Sequence, residues 1–280
     1  MLRLIKRILW TIIALFIFSI LFSSIFPGRI KIVDSVRMLA QRPIIKLLGK
    51  VKMDDIPIYT FTDNGNESDI SFEELKMFLT NLPPGSIYFT STRNYAITEF
   101  IPGKWKHTGI YLGTKEQLID YFGKNSNLIF KLDSLINSTD IYVLDSYSNG
   151  VSVHPIQDLS NMKIKSYMTD FAAFTYKGPK KNKIEYIQNA LHFLNRGYDF
   201  DWLTEDPESI YCSELIYHSF KTIGFDIQKR TTTFNRDVFT PDNLFEFLDS
   251  ISNSDKSFKF YGKISKIEEN NENNNRLEQN

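Results

Sequence analysis

From Ile8 to Phe26 nineteen consecutive positions carry no charge. At about 1.5 Å rise per residue, a helix of that length covers roughly 28 Å, close to the thickness of a bilayer core. Further along the chain the apolar pattern takes two other periods. Ser71 and Glu74 stand as a capping box ahead of Leu75, Phe78, Leu79 and Leu82, whose spacing predicts a helix over 72–82, stopped by Pro83-Pro84-Gly85. Short aromatic and β-branched pieces follow at 86–92, 107–113, 140–147 and 150–156, each bounded by turn residues, and they predict a mostly antiparallel sheet. Helical spacing then returns in Ile184, Ile187, Ala190, Leu191 and Leu194, closed by Gly197, and in Cys212, Leu215, Ile216, Phe220 and Ile223, closed by Gly224. Pro241 opens one more helix.

The apolar run reads as a membrane span. Arg3, Lys6 and Arg7 precede it, which favours a cytoplasmic N-terminus, while Arg29 and Lys31 behind it weaken that bias. A cleaved signal peptide shares the basic start and apolar stretch. The length of this run, the lack of an A-x-A-like site in SSIFPGR and the lack of a Cys directly after it favour a retained anchor. The domain reading is therefore an anchor over 1–28, a juxtamembrane segment and linker over 29–71, an α+β domain over 72–265 and a disordered tail over 266–280. A short helix over 36–48, interrupted at Pro43, is expected in the juxtamembrane segment, and 62–71 is a turn-rich linker. The tail has six Asn in its last eleven positions.

Composition narrows the function. Hydrophobic residues make up 42% of the 280 and aromatics 14%, enough apolar surface for a sizeable core. Thirty-three basic residues balance thirty-three acidic ones, so no general positive field draws a polyanion, and nucleic acid is not an expected partner. The basic run 177–183 reads either as a solvated loop or as a contact for anionic headgroups. Phosphate-loop, dinucleotide, G-x-S-x-G and H-E-x-x-H signatures are missing, and the four histidines have no close metal-ligand spacing. No cofactor and no metal are expected.

One cysteine, Cys212, remains as candidate chemistry. An irregular stretch through Pro207 gives way to helix near Ser209 or Cys212, which places the sulfur in a first helical turn, where unpaired N–H groups and the positive dipole end favour a thiolate. A buried core cysteine fits the same pattern. His107 opens a strand in which His107, Gly109 and Tyr111 share one face, and the small neighbours leave room around the ring for a general base. Asp145, in a following strand, is placed to accept from the second imidazole nitrogen or else to start the turn at Asn149-Gly150. His154, His192 and His218 read as structural or exposed, and Glu214 as holding local structure. Spacing alone does not bring these residues together.

The order of PPGSIYF (83–89), IPGKWKHTGIYLG (101–113), VLDSYSNGV (143–151), GYDFDW (197–202) and YCSEL (211–215) resembles the YaeF/YiiX family of permuted papain-like amidases. That family is related to NlpC-type cell-wall peptidases and more distantly to lecithin:retinol acyltransferase-like proteins. The histidine precedes the cysteine, as a circular permutation of papain requires. The resemblance implies an NlpC-like α+β fold, Cys212 as nucleophile, His107 as base and Asp145 in the orienting position. It implies a cysteine hydrolase of amide bonds. Joined to the anchor and orientation read from the apolar run and its flanking charges, which lie outside the resemblance, this gives a membrane-anchored hydrolase on the extracytoplasmic side of a bacterial inner membrane, with a cell-wall peptide as the expected substrate. Lipid acyl chemistry on the same Cys/His pair, or a tethered binding module without turnover, are the alternatives.

Overall fold

A computed structural model describes residues 2–25, 29–30, 32–33, 36–37, 69–93, 101–137, 139–163, 166–199, 209–233, 236–254 and 257–266. Nearly all of the expected juxtamembrane helix, most of the linker and the tail beyond 266 lie outside the described residues. Helix α1, Leu2–Ile25, has no acidic residue in its first turn and contains an apolar window, Lys6–Ser23, of mean hydropathy 1.8. Its large side chains, among them Trp10, Leu15 and Phe18, are exposed. Length and composition suit a membrane crossing.

Helix α2, Phe72–Leu79, starts on the expected capping box: Ser71 Oγ accepts from the Glu74 amide at 3.3 Å, and Glu74 Oε2 accepts from the Ser71 amide at 2.8 Å. It ends three residues earlier than the apolar spacing predicts. Residues just before proline avoid the helical region, so the chain tightens through Thr80 and Asn81 and still buries Leu82.

The sheet contains the four expected strands, β1 (Ser86–Thr92), β2 (His107–Gly113), β3 (Tyr142–Tyr147) and β4 (Gly150–Pro155), and two more, β5 (Met168–Tyr176) and β8 (Phe258–Ser265). All neighbours are antiparallel in the order β4-β3-β2-β1-β5-β8. Strand β5 is buried at every position, so it carries no alternation by which to recognise it. Between β2 and β3 lie two helices that the apolar spacing does not announce, α3 (Lys115–Phe122) and α4 (Asn127–Leu132). The first has its own capping box, Thr114 with Gln117. Helices α5 (Lys180–Leu191), α6 (Cys212–Lys221) and α7 (Pro241–Ser254) follow, with the short hairpin β6 (Thr231–Thr233) and β7 (Arg236–Val238) between the last two.

The sheet separates two cores. Ile87, Phe89, Ile110, Leu112, Leu144 and Phe174 pack with apolar residues of α5, α6 and α7. Tyr88, Tyr111, Val143, Phe171 and Ala173 pack with α2 and a 3-10 turn at Ile156–Asn161. The expected α+β architecture, an antiparallel sheet packed against helices, is the one observed. The basic run 177–183 is not a plain loop, because Lys180–Lys183 open α5. Lys183 is buried and donates from Nζ to the Tyr121 hydroxyl at 2.9 Å.

One buried bond ties the sheet to the start of α6: the Ser146 hydroxyl in β3 donates to the Ile210 carbonyl, two residues before Cys212. Ser146→Ala leaves that carbonyl without its partner. The expected loss is about 1–3 kcal/mol of unfolding free energy, measured by urea titration against the native chain.

Candidate active site

His107 is the first residue of β2 and shares a face with Gly109 and Tyr111, as strand parity requires. The register Tyr88↔Gly109 sets the Tyr88 side chain over Gly109. A Cβ on Gly109 would stand 2.7 Å from both Asp145 Cβ and the Tyr88 hydroxyl. The absent side chain is the space into which those two residues converge. Asp145 Oδ2 lies 2.9 Å from His107 Nε2 and accepts the Tyr88 hydroxyl proton, and Tyr88 Oη lies 3.4 Å from the same ring nitrogen. The Tyr147 ring closes on His107 edge-on, with centroids 5.4 Å apart.

Cys212 is the first residue of α6 and is 3% exposed. Helix α6 begins there because Tyr211 is extended (φ −92°, ψ 170°) and Glu214, three residues into the helix, reaches back toward the Tyr211 amide. Glu214 holds the helix start, in keeping with its structural reading. The Cys212 side chain lies close enough to the His107 ring to help raise its pKa. The structure thus brings Cys212, His107 and Asp145 together, with His107 between the other two.

Two residues of this cluster escape the sequence reading. Tyr88 reads there only as a strand position. His154 is neither exposed nor remote: its Nε2 is 2.9 Å from Asp145 Oδ1, and its Nδ1 is 3.0 Å from the Pro155 carbonyl. A signal for it exists. A two-residue turn between Tyr147 and Gly150 pairs Val143 with His154, diagonal to Asp145 on one face. The two other histidines stay apart from the cluster, His192 exposed and His218 3.5 Å from Glu214.

Electrostatics follow from burial and pairing. Asp145 is fully buried, which by itself disfavours the carboxylate, but the charges and hydrogen bonds of His154 and His107 hold its carboxyl well below the usual range. Burial would likewise lower the His107 value. The Asp145 charge and hydrogen bond, with a contribution from the nearby Cys212, overcome it and push His107 up to about 10. His154 is raised in the same way, against burial, by Asp145 and by the Pro155 carbonyl. Among the described residues, no group of three or more His, Cys, Asp or Glu is arranged to hold a metal ion. Beside the sulfur is a hollow lined by uncharged residues, including Ile101, Tyr211, Val238, Phe239 and Pro241.

Gly109→Ala tests the convergence. The methyl group displaces Asp145 and Tyr88, and a 1 Å misplacement is worth about a hundredfold in rate. Hydrolysis is expected to fall by about that factor while the circular dichroism spectrum stays native.

Comparison with curated proteins finds no match. Among solved structures, that of yiiX from Escherichia coli O157:H7, described as a metalloprotein, is 14% identical with a TM-score of 0.40, over 58% of this chain and 91% of that one. Residues 81–267 match the family described as permuted papain-like amidase enzyme, YaeF/YiiX, C92 family. That span covers more than half of the chain and contains all five clustered side chains. The chain therefore belongs to the YaeF/YiiX family of permuted papain-like amidases and is a hydrolase of the cysteine amidase kind.

Proposed function

We propose that the protein cleaves an amide bond through a thioester on Cys212, with His107 as the proton carrier and Asp145 as the group that orients it. The observation that carries this reading is the placement of His107, with Cys212 close beside its ring and Asp145 bonded to its Nε2 at 2.9 Å. With Nε2 donating to the carboxylate, the second ring nitrogen is the one available to the sulfur. His107 takes the thiol proton and the sulfur attacks the carbonyl carbon. The oxyanion is held by the Cys212 backbone N–H in the first turn of α6 together with a second donor, and the imidazolium protonates the departing amine. Water then attacks the thioester, releasing the acid and restoring the thiol.

For substrate we propose a peptide amide in the bacterial cell wall. The family's amidase chemistry supports a peptide-type substrate. Helix α1 supports a single-pass tether. Arg3, Lys6 and Arg7 ahead of it favour a domain on the extracytoplasmic side, where wall peptides lie. Lipid acyl cleavage by the same pair is the rival, and muropeptides assayed beside phospholipid and thioester substrates separate the two. Release of an amine from muropeptides is the expected result. Activity on lipid alone would sink the wall reading.

Cys212→Ala is expected to abolish hydrolysis, and full retention would refute the mechanism. Asp145→Asn should lower kcat by about 10⁴ with KM little changed, as loss of an orienting carboxylate does elsewhere. Because His107 must be protonated to expel the amine, the rate should persist into alkaline solution and fall as pH rises through about 10. In Asp145→Asn that edge moves down toward ordinary imidazole values.

The same shift acts on folding, since the folded state binds the His107 proton more tightly than the unfolded chain. Its stabilisation is complete below the ordinary value of 6.5 and is lost as pH climbs through about 10. Asp145, shifted down, stabilises above its ordinary range, and its share is lost in acid. Urea midpoints of the native chain and of Asp145→Asn across this range check both signs.

A further inference from the structure

Asp145 has more partners than orienting one imidazole requires. Its Oδ2 takes up His107 and Tyr88, and its Oδ1 takes up His154. The ring of His154 has an acceptor at each nitrogen. The Pro155 carbonyl, 3.0 Å from Nδ1, can only accept, so Nδ1 carries a hydrogen. The Asp145 carboxylate, 2.9 Å from Nε2, also accepts, so Nε2 carries one as well. A histidine that donates from both nitrogens is an imidazolium.

The charges around the carboxylate then sum in an informative way. His154 neutralises Asp145, and the His107–Cys212 pair is neutral overall whether its proton lies on sulfur or on nitrogen. Without His154, each moment at which His107 gave up its proton would leave a fully buried carboxylate with no cation beside it, a costly state. We infer that His154 is a positioning residue that keeps a standing positive charge on Asp145, so that His107 releases and recovers its proton while the carboxylate stays ionised and holds the ring in place. This rests on the reading of His107 as the proton carrier.

The groups facing Asp145 are Tyr88 from β1, His107 from β2 and His154 from β4, with Cys212 of α6 beyond His107. Those facing His154 are Asp145 and, with opposing sign, His107. Tyr88 is a neutral donor whose ionisation is driven far up by burial and by the Asp145 charge, so it cannot supply the missing cation.

The test uses the full chain in detergent. In His154→Gln the amide still donates to Oδ1 but carries no charge. An opposite charge at this range is worth about 1–3 pH units to a carboxyl group, so the acid edge of kcat/KM should rise by about that much. The fall in rate should be in kcat, with KM little changed. His154→Lys, which restores a charge, should bring the acid edge back toward that of the native enzyme. A purely structural role would lower activity in both variants without moving the edge.

Nitrogen-15 NMR of the native enzyme, labelled at histidine, gives a readout independent of the variants' folding. His154 should show both ring nitrogens protonated at pH 8. A neutral tautomer there, or an unmoved acid edge in His154→Gln, overturns the inference. Hydrolysis surviving in Cys212→Ala removes the reading beneath it and so the role itself, and the NMR signal tells the two failures apart.

Discussion

A carboxylate with no exposure to water is the constraint around which the site is built. Asp145 sits fully buried on an interior strand, second from one edge of an antiparallel sheet, where an unpaired charge would cost on the order of several kcal/mol after relaxation. The sheet satisfies it from three strands at once, with a hydroxyl from β1 and imidazoles from β2 and β4. Each donor has its place because antiparallel register is rigid: once the pairs Tyr88↔Gly109, Tyr111↔Val143 and Val143↔His154 form, the side chains that flank Asp145 are determined. Gly109 completes the arrangement by having no side chain where two others must meet.

The sulfur arrives from a different layer. Helix α6 packs its Leu215, Ile216 and Phe220 into the core on the sheet face opposite Tyr88 and Tyr111, so Cys212 meets the imidazole only because it stands at the helix's first position and His107 at the strand's first position. Such a meeting at the ends of elements depends on how the chain enters α6. The Ser146 bond to the Ile210 carbonyl and the Glu214 contact to the Tyr211 amide both act on that entry. The site is thus positioned by polar bonds at element ends and by apolar packing along element lengths. Pairing within the sheet sets the His–Asp geometry, and packing across it sets the approach of the thiol.

Local patterns predicted much of this. Four strands, the capping box of α2, a helix start between Ser209 and Cys212 and the helix opened by Pro241 are each dictated within a few residues of sequence, because capping, turn chemistry and strand alternation are short-range effects. Strand β5 was hidden because burial on both faces erases alternation, and α2 stopped early because the prolines beyond it reach backward. His154 was hidden for another reason. Its importance comes from a partner nine positions away, and only the register of the hairpin turns that separation into a 2.9 Å contact.

By itself, then, the sequence determined the class of architecture, the residue types that can do acyl chemistry and the order in which they occur. These depend on composition, periodicity and short motifs, which survive without knowledge of distant contacts. What only the tertiary structure decided is which side chains touch: that the single thiol and one of four imidazoles are neighbours, that a second imidazole shares the carboxylate, and that the last lysine of the basic run 177–183 is buried against Tyr121. The physical reason is range. Hydrogen bonds and charges act over a few ångströms, and residues more than a hundred positions apart come within that distance only when strand pairing and helix packing have folded the chain back on itself.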